Sequence, residues 1–197
     1  MKNLVPESEH PRVVIIGGGF AGINLVKKLK GAPFQVLLID KNNYHTFQPL
    51  LYQVATGGLE PDSIAFPLRK IFSGYRNFLF RVAEVERVNH VEKTLDTSIG
   101  MIRFEHLVIA TGSNNNFFGL KGISRYSMTL KSVPEALDLR SLILQNMEKA
   151  LIDSTNKEAY MNFVVVGGGP TGVDLAGALM ELRKHVLPND YPVLDDD

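Results

Sequence analysis

Residues 12–22 read RVVIIGGGFAG, an apolar, β-branched run that breaks into the spacing G-x-G-x-x-G at Gly17, Gly19 and Gly22. Each glycine has a separate physical task. The first allows a tight strand-to-helix turn, the second lets backbone approach a pyrophosphate, and the third lets the helix pack on the sheet, with the phosphates against the helix N-terminus. Working outward, the spacing predicts a strand over 12–16, a helix from Phe20 to Lys30 stopped by Gly31-Ala32-Pro33, and a second strand from Gln35 to Ile39 that ends at Asp40. Asp40 lies 18 residues beyond Gly22, near the interval of about 20 at which a carboxylate meets the ribose hydroxyls of a dinucleotide. A bare glycine motif is weak evidence, because a glycine turn can simply let a helix cross a sheet. Strand, helix, second strand and terminal acid together make dinucleotide binding the expectation.

The motif recurs as NFVVVGGGPTG at residues 162–172. A strand is expected over Phe163 to Val166, the glycines are Gly167, Gly169 and Gly172, and Ala176 is small where a helix from about Thr171 to His185 would pack closely. No second strand with a ribose-binding acid follows it, so the turn either starts a nicotinamide-binding lobe or binds nothing. Two dinucleotides held close together are what hydride transfer between a nicotinamide and a flavin requires.

Composition sets the limits. The chain has 197 residues, 45% of them apolar, with 21 acids balancing 21 Lys plus Arg. Zero net charge gives no sign of nucleic-acid binding. No apolar stretch reaches the roughly 18 to 20 residues of a membrane span, and the opening MKNLVPESEH has no signal-peptide core, so a cytoplasmic protein is expected. The absence of cysteine removes disulfides, thiolate metal sites and any Cys-based redox relay, and no metal site is expected.

Between the motifs, residues 41–61 (KNNYHTFQPLLYQVATGGLEP) lose clean periodicity. Then follow a short helix over 66–72, strands over 78–88, 91–97 and 101–104, and a buried strand, EHLVIATG, over 105–112. An Asn- and Gly-rich loop (113–122), a helix over 133–152 and a charged linker (153–158) complete the approach to the second motif. The tail LPNDYPVLDDD carries no regular signal, and its closing acids, Asp195 to Asp197, read as a solvated end.

The order GGGFAG, LIDKNNYHTFQPLLYQVATGGLEPDSIAFPLRKIF, EHLVIATGSNNNFFG and VVVGGGPTGVDLAGALMELRK resembles the type II NADH dehydrogenases, the NADH:quinone oxidoreductases of the two-dinucleotide-binding flavoprotein class. The resemblance runs from about Arg12 to Tyr191, and NNYHTFQPLLYQVATG is its most discriminating part. Disulfide reductases of the same fold class place a Cys pair in the region of Tyr44 to Val54, and they are excluded here, as are sulfide:quinone oxidoreductases that depend on cysteines.

The resemblance implies an α/β fold with a Rossmann-like parallel sheet, helices and a small antiparallel β insertion. It implies an FAD-binding lobe over 1–158 and the start of an NADH-binding lobe over 159–197, cut short. Gly17, Gly18, Gly19, Phe20, Ala21 and Gly22 would hold the FAD pyrophosphate, Asp40 and Lys41 would meet the ribose, and Ala83 would offer backbone to the adenine. Ala110, Thr111 and Gly112 would lie along the flavin, with Gln48 and Pro49 near the isoalloxazine. Gly167, Gly169, Pro170, Thr171 and Gly172 would take NADH. Asp174 stands where the family usually has Glu, a carboxylate assigned to the nicotinamide and flavin region; Asp keeps the charge and shortens the reach by one methylene. It also falls on the expected first turn of a helix, where the dipole alone favours an acid.

Other residues have plainer readings. His45 reads as a hydrogen-bonded loop residue rather than a base, because flavin hydride transfer needs no protein nucleophile. Tyr44, Phe47 and Tyr52 read equally as core aromatics or flavin neighbours.

The implied activity is NADH oxidation by FAD and reduction of a membrane quinone. The alternatives are a flavin-binding or interaction module without turnover, or a related flavoprotein that reduces ferredoxin-like acceptors. Full-length relatives continue through the rest of the NADH lobe, a segment returning to the flavin, and an amphipathic region that seats them on the membrane. Their absence would leave apolar faces uncovered and open to self-association. An isolated domain, a truncated product and half of a noncovalent assembly all stay open.

Overall fold

The computed structural model describes residues 5–194, so the acids at 195–197 lie outside the described residues. The chain forms two compact units, one of residues 1–46 and 66–114, the other of residues 47–65 and 115–197.

The first unit is built on a four-stranded parallel sheet. The opening run forms β1 (Arg12–Ile16), and the predicted second strand forms β2 (Gln35–Asp40). Between them α1 (Phe20–Lys28) ends two residues earlier than expected, capped by Leu29, with Gly31 at φ +71° turning the chain back. Two further strands, β5 (Phe78–Val82) and β9 (His106–Ile109), complete the order β5-β2-β1-β9. β1 and β2 are central, which is why Val14, Ile15, Leu37, Leu38 and Ile39 are fully buried and the strands read as continuous apolar runs.

Each face of this sheet has its own cover. On one, Ile23 and Val26 of α1 pack with Ile15, Leu38, Leu68, Phe72 and Phe80. On the other, Val14, Leu37 and Ile39 meet Leu95, Ile102 and Phe104 of an antiparallel insertion made by β6 (Val85–Asn89), β7 (Thr94–Thr97) and β8 (Gly100–Arg103). Two shorter strands, β3 (Tyr44–Thr46) and β4 (Ala65–Pro67), pair separately.

Two strand expectations need correction here. The run 78–88 is two strands, because β5 pairs parallel with β2 while β6 pairs antiparallel with β7. At the break the Ala83 N–H donates to the Asp40 carbonyl, 3.0 Å, and the Glu84 N–H to Ser98 Oγ, 3.0 Å. The strand within EHLVIATG is an edge strand among the described residues, so Ile109 is 65% exposed rather than buried.

The second unit is helical. Residues 41–61 are less irregular than their sequence suggests: a 3-10 turn at Gln48–Leu50 leads into α2 (Leu51–Ala55), which buries Leu51, Val54 and Ala55 at helical spacing. The helix expected over 66–72 is shorter, α3 (Leu68–Ile71), and belongs to the first unit, with Pro67 as its N-cap. The loop 113–122 is also cut short, because α4 (Lys121–Tyr126) begins inside it.

The helix over 133–152 is found as α5 (Val133–Ile152), started by a capping box between Ser132 and Glu135. The expected charged linker is structured: the Asp153 carboxylate accepts from the Thr155 N–H at 3.2 Å, and α6 (Lys157–Met161) follows. The final helix is α7 (Pro170–His185). Beyond it the tail is regular after all, as α8 (Leu187–Asp190) and a 3-10 turn at Pro192–Leu194. Leu187 and Leu194 are buried with Ile143, Met147 and Ala150 of α5, which gives this tail an apolar reason to fold back.

Candidate functional site

The turn from β1 to α1 in the first unit is held by contacts that only glycine permits. Gly17 has φ +105°, and a Cβ there would lie 2.4 Å from the Ala110 carbonyl oxygen. A Cβ on Gly22 would lie 1.9 Å from the Gly17 carbonyl oxygen. Gly19 differs from both: it is the N-cap of α1 in an extended conformation, and its Cβ position has no atom within 4 Å. No side-chain hydrogen bond caps α1 at Gly19, and the positive end of the helix dipole lies at this N-terminus.

Asp40 closes the turn from the end of β2. Its Oδ2 accepts from the Gly18 N–H at 2.6 Å and its Oδ1 from the Asn42 N–H at 2.7 Å. Each carboxylate oxygen keeps a further lone pair for another donor. Ala83 is buried and bonded to the Asp40 backbone, while Ala110 follows β9 with its N–H donating to the Ile16 carbonyl at 2.8 Å. Gly112 has φ +72° and open space around it, and both Thr111 and Lys41 are exposed. Thus Gly17 to Gly22, Asp40, Ala83 and Ala110 come together around one turn.

Sequence reasoning missed one contact here. His45, on β3, is half-buried; its Nδ1 is 3.0 Å from the Gly18 carbonyl oxygen, and its ring stands edge-on to Phe20 with centroids 5.0 Å apart. The signal was present in the tripeptide Asn43-Tyr44-His45, but nothing local in the sequence pairs it with a residue 27 positions earlier.

The second unit holds the other predicted residues. Gly167 has φ +123°, Gly169 is the extended N-cap of α7, and a Cβ on Gly172 would lie 2.1 Å from the Gly167 carbonyl oxygen. The turn therefore has the internal geometry of the first. Its surroundings differ. Residues 163–166 are not a strand, because no strand pairs with them among the described residues, and Val164 is 85% exposed. Ala176, expected in a close contact, is exposed.

Asp174 is also exposed, and since α7 begins at Pro170 it falls on the second turn, where a favourable dipole no longer explains an acid. Gln48 and Pro49 are exposed, and Gln48 Nε2 donates to the Lys131 carbonyl at 3.3 Å. In the same unit, burial works against the ionised form of Glu135, but the Thr129 hydroxyl, the Lys131 N–H and the hydroxyl and N–H of Ser132 donate to the carboxylate and hold it below its ordinary value. The Tyr191 hydroxyl donates to Glu148 Oε1 at 2.7 Å, which pushes its titration up.

A parallel sheet that delivers a three-glycine turn onto an uncapped helix, with an acid at the end of the next strand, defines a Rossmann-type FAD/NAD(P)-binding fold. Residues 11–189 match the pyridine nucleotide-disulphide oxidoreductase family, and the chain belongs to that family. Despite the family's name, no cysteine is present.

Its relatives are type II NADH:quinone oxidoreductases. One, from Mycobacterium tuberculosis, is 36% identical over 196 residues, covering 96% of this chain and 42% of the relative. An external alternative NAD(P)H-ubiquinone oxidoreductase of Solanum tuberosum mitochondria is 31% identical over 97% of this chain and 36% of its own length. Among solved structures, NDH2 from Plasmodium falciparum in complex with NADH superposes with a TM-score of 0.87 at 25% identity, over 94% of this chain and 40% of that one. The chain thus spans about two fifths of the length of these relatives. No described helix is long and apolar enough to cross a membrane.

Proposed function

We propose that residues 1–158 form the FAD-binding lobe, and residues 159–197 the start of the NADH-binding lobe, of an NADH:quinone oxidoreductase. The observation that carries this reading is the open space at Gly19 in front of the uncapped α1, with the Asp40 carboxylate at the side of the turn. A Cβ on Gly19 would project into that space, so the cradle fits a group that must approach backbone closely, as a pyrophosphate does.

Gly17 to Gly22 would hold the FAD pyrophosphate, Asp40 and Lys41 the ribose, and Ala83 the adenine. Ala110, Thr111 and Gly112, with Gln48 and Pro49, would serve the isoalloxazine by the resemblance already given. Gly167, Gly169, Pro170, Thr171 and Gly172 would hold NADH, and Asp174 would contribute its carboxylate in the nicotinamide region. When bound, FAD supplies the chemistry of accepting hydride from NADH and passing electrons to quinone. The chain's own part is binding, orientation and exclusion of water.

By the same reading the protein works in the cytoplasm, on the inner face of a membrane, and its exposed apolar residues, Ile152, Val164 and Val166 among them, favour association with a further surface.

The test is the visible absorption of the purified chain, before and after NADH is added without air. Flavin bands that bleach with NADH are the expected result. Bands that do not bleach would support the alternative of a flavin-binding module without turnover, which the unaccompanied turn at 167–172 favours. A protein that stays colourless after incubation with FAD would overturn the reading for this chain.

A further inference from the structure

We infer that His45 is a positioning residue for the dinucleotide turn: its Nδ1–H holds the peptide between Gly18 and Gly19 in the orientation that aims the Gly19 N–H at a diphosphate. This rests on the FAD reading above and adds a residue that the glycine motif does not contain.

The Gly18 carbonyl can only accept, so at 3.0 Å the His45 Nδ1 must carry the proton, which fixes the tautomer. Every described peptide bond is trans. In a trans peptide the C=O and N–H of one plane point in opposite directions, so anchoring the Gly18 oxygen on His45 turns the Gly19 N–H away from the imidazole. That N–H makes no hydrogen bond among the described residues, and the space at Gly19 is open.

The preceding peptide is fixed independently, because the Gly18 N–H donates to Asp40 Oδ2 at 2.6 Å. Gly18 is thus tied at its nitrogen by a carboxylate from β2 and at its oxygen by an imidazole from β3. The need for such ties follows from composition: three consecutive glycines have the widest conformational freedom of any tripeptide, and a turn left to itself would lose that freedom only when a ligand binds. The ring of His45 also stands edge-on to Phe20, the first residue of α1, which adds a second contact between β3 and the turn. His45 therefore lowers the ordering cost of diphosphate binding without touching the reacting atoms.

The chemistry of the side chain supplies its own controls. In His45→Asn the amide nitrogen branches from Cγ, as Nδ1 does, and keeps the donor in place. In His45→Gln the amide is one atom further out, in the position of Nε2, and the donor is misplaced. His45→Phe keeps the edge contact with Phe20 and removes the donor.

The ligand-free full chain and these three variants are titrated calorimetrically with FAD and with ADP, which carries the diphosphate without the flavin. The expected result is that the Phe variant binds both ligands roughly tenfold to a hundredfold more weakly. The Asn variant should recover most of the affinity and the Gln variant should not. Ligand-free melting temperatures should stay within about 2 °C of one another, as for variants of nearly equal stability.

Unchanged affinity in the Phe variant overturns the inference, as does equal loss in Asn and Gln, which would indicate a merely structural role. Should the Phe variant fail to fold, the order of Asn over Gln still decides. An unaltered chain that binds neither FAD nor ADP removes the cofactor reading and this inference together. A chain that binds FAD with affinity indifferent to residue 45 removes the inference alone.

Discussion

A Cβ on Gly22 would stand 1.9 Å from the carbonyl oxygen of Gly17, five residues earlier on the same turn. The contact is internal to the motif, since the corresponding distance from Gly172 to the Gly167 oxygen is 2.1 Å in a turn with quite different surroundings. What differs is the freedom to yield. Gly17 is itself pinned, with a Cβ position 2.4 Å from the Ala110 oxygen and an N–H bonded to the Ile39 carbonyl at 2.8 Å, whereas the Cβ position of Gly167 has no neighbour within 4 Å. Gly22→Ala is therefore expected to cost about 3 kcal/mol or more of stability, in the range of mutations that force backbone to move. Gly172→Ala should cost about 1 kcal/mol or less, because its turn can shift and alanine is the better helix former. Denaturant unfolding followed by circular dichroism measures both; equal costs would mean that the two turns are equally constrained.

Gly19 separates binding from folding. Its backbone is extended, a region open to every L-residue, and its Cβ position has no neighbour. Gly19→Ala should lower stability by no more than about 1 kcal/mol, the difference between glycine and alanine at an N-cap. The methyl group would still project into the space in front of α1, so FAD affinity should fall at least about tenfold, as expected when one close contact to the phosphates is lost. Melting temperature and FAD titration of the same preparation give the two numbers. A variant that binds FAD as well as the unaltered chain would show that no ligand comes close to this backbone.

Glu135 gives a pH dependence with a definite sign. In the folded chain its carboxylate titrates below the ordinary value of 4.5, so the folded state favours the ionised form. The stability this contributes is fully present above pH 4.5 and is lost as the pH falls through the lower, folded value. Glu135→Gln keeps the shape of the capping box without the charge and should cost about 1 kcal/mol near neutral pH, as helix-cap losses do. The gap between variant and unaltered chain should then close as the pH falls below that of ordinary glutamate titration. A gap that stays constant down to strongly acid pH would mean that the carboxylate is not held in its charged form.

Where the sequence was legible, the signal was local. β1, α1 and β2 follow from apolar runs, three glycines and one acid within 29 residues, and α5 spans the expected Val133–Ile152, where the structure adds a capping box between Ser132 and Glu135. Strand identity was less legible because a strand is completed by its partner. The run 78–88 reads as one β segment yet divides between two sheets at Ala83, where the Asp40 carbonyl takes its N–H. Short helices were missed at Leu51 and Lys157, where five residues give too little periodicity to read. Within the candidate site the glycines and Asp40 were legible, while the tie from His45 to Gly18 was not, since it depends on β3 being brought back to the turn. Asp174 moved from first turn to second because Gly169 caps α7 and Pro170 opens it, one residue earlier than the apolar pattern suggests.

The two apolar runs that precede the glycine turns should differ sharply in amide hydrogen exchange. β1 is paired on both sides, with β2 through Arg12 to Ile16 and with β9 through Val13 to Ile16, so its amides exchange only when the sheet opens. Residues 163–166 have the same β-branched composition but no ladder partner among the described residues. Their amides should exchange at least about a thousandfold faster than those of β1, the factor that separates an unpaired segment from one protected by several kcal/mol of opening free energy. The comparison is made within one preparation, so solvent conditions cancel. Protection at 163–166 equal to that of β1 in dilute protein would mean the segment is paired within its own chain. Protection that grows with protein concentration would place the pairing between copies, the outcome expected if the exposed Val164 and Val166 are the surface through which this chain associates.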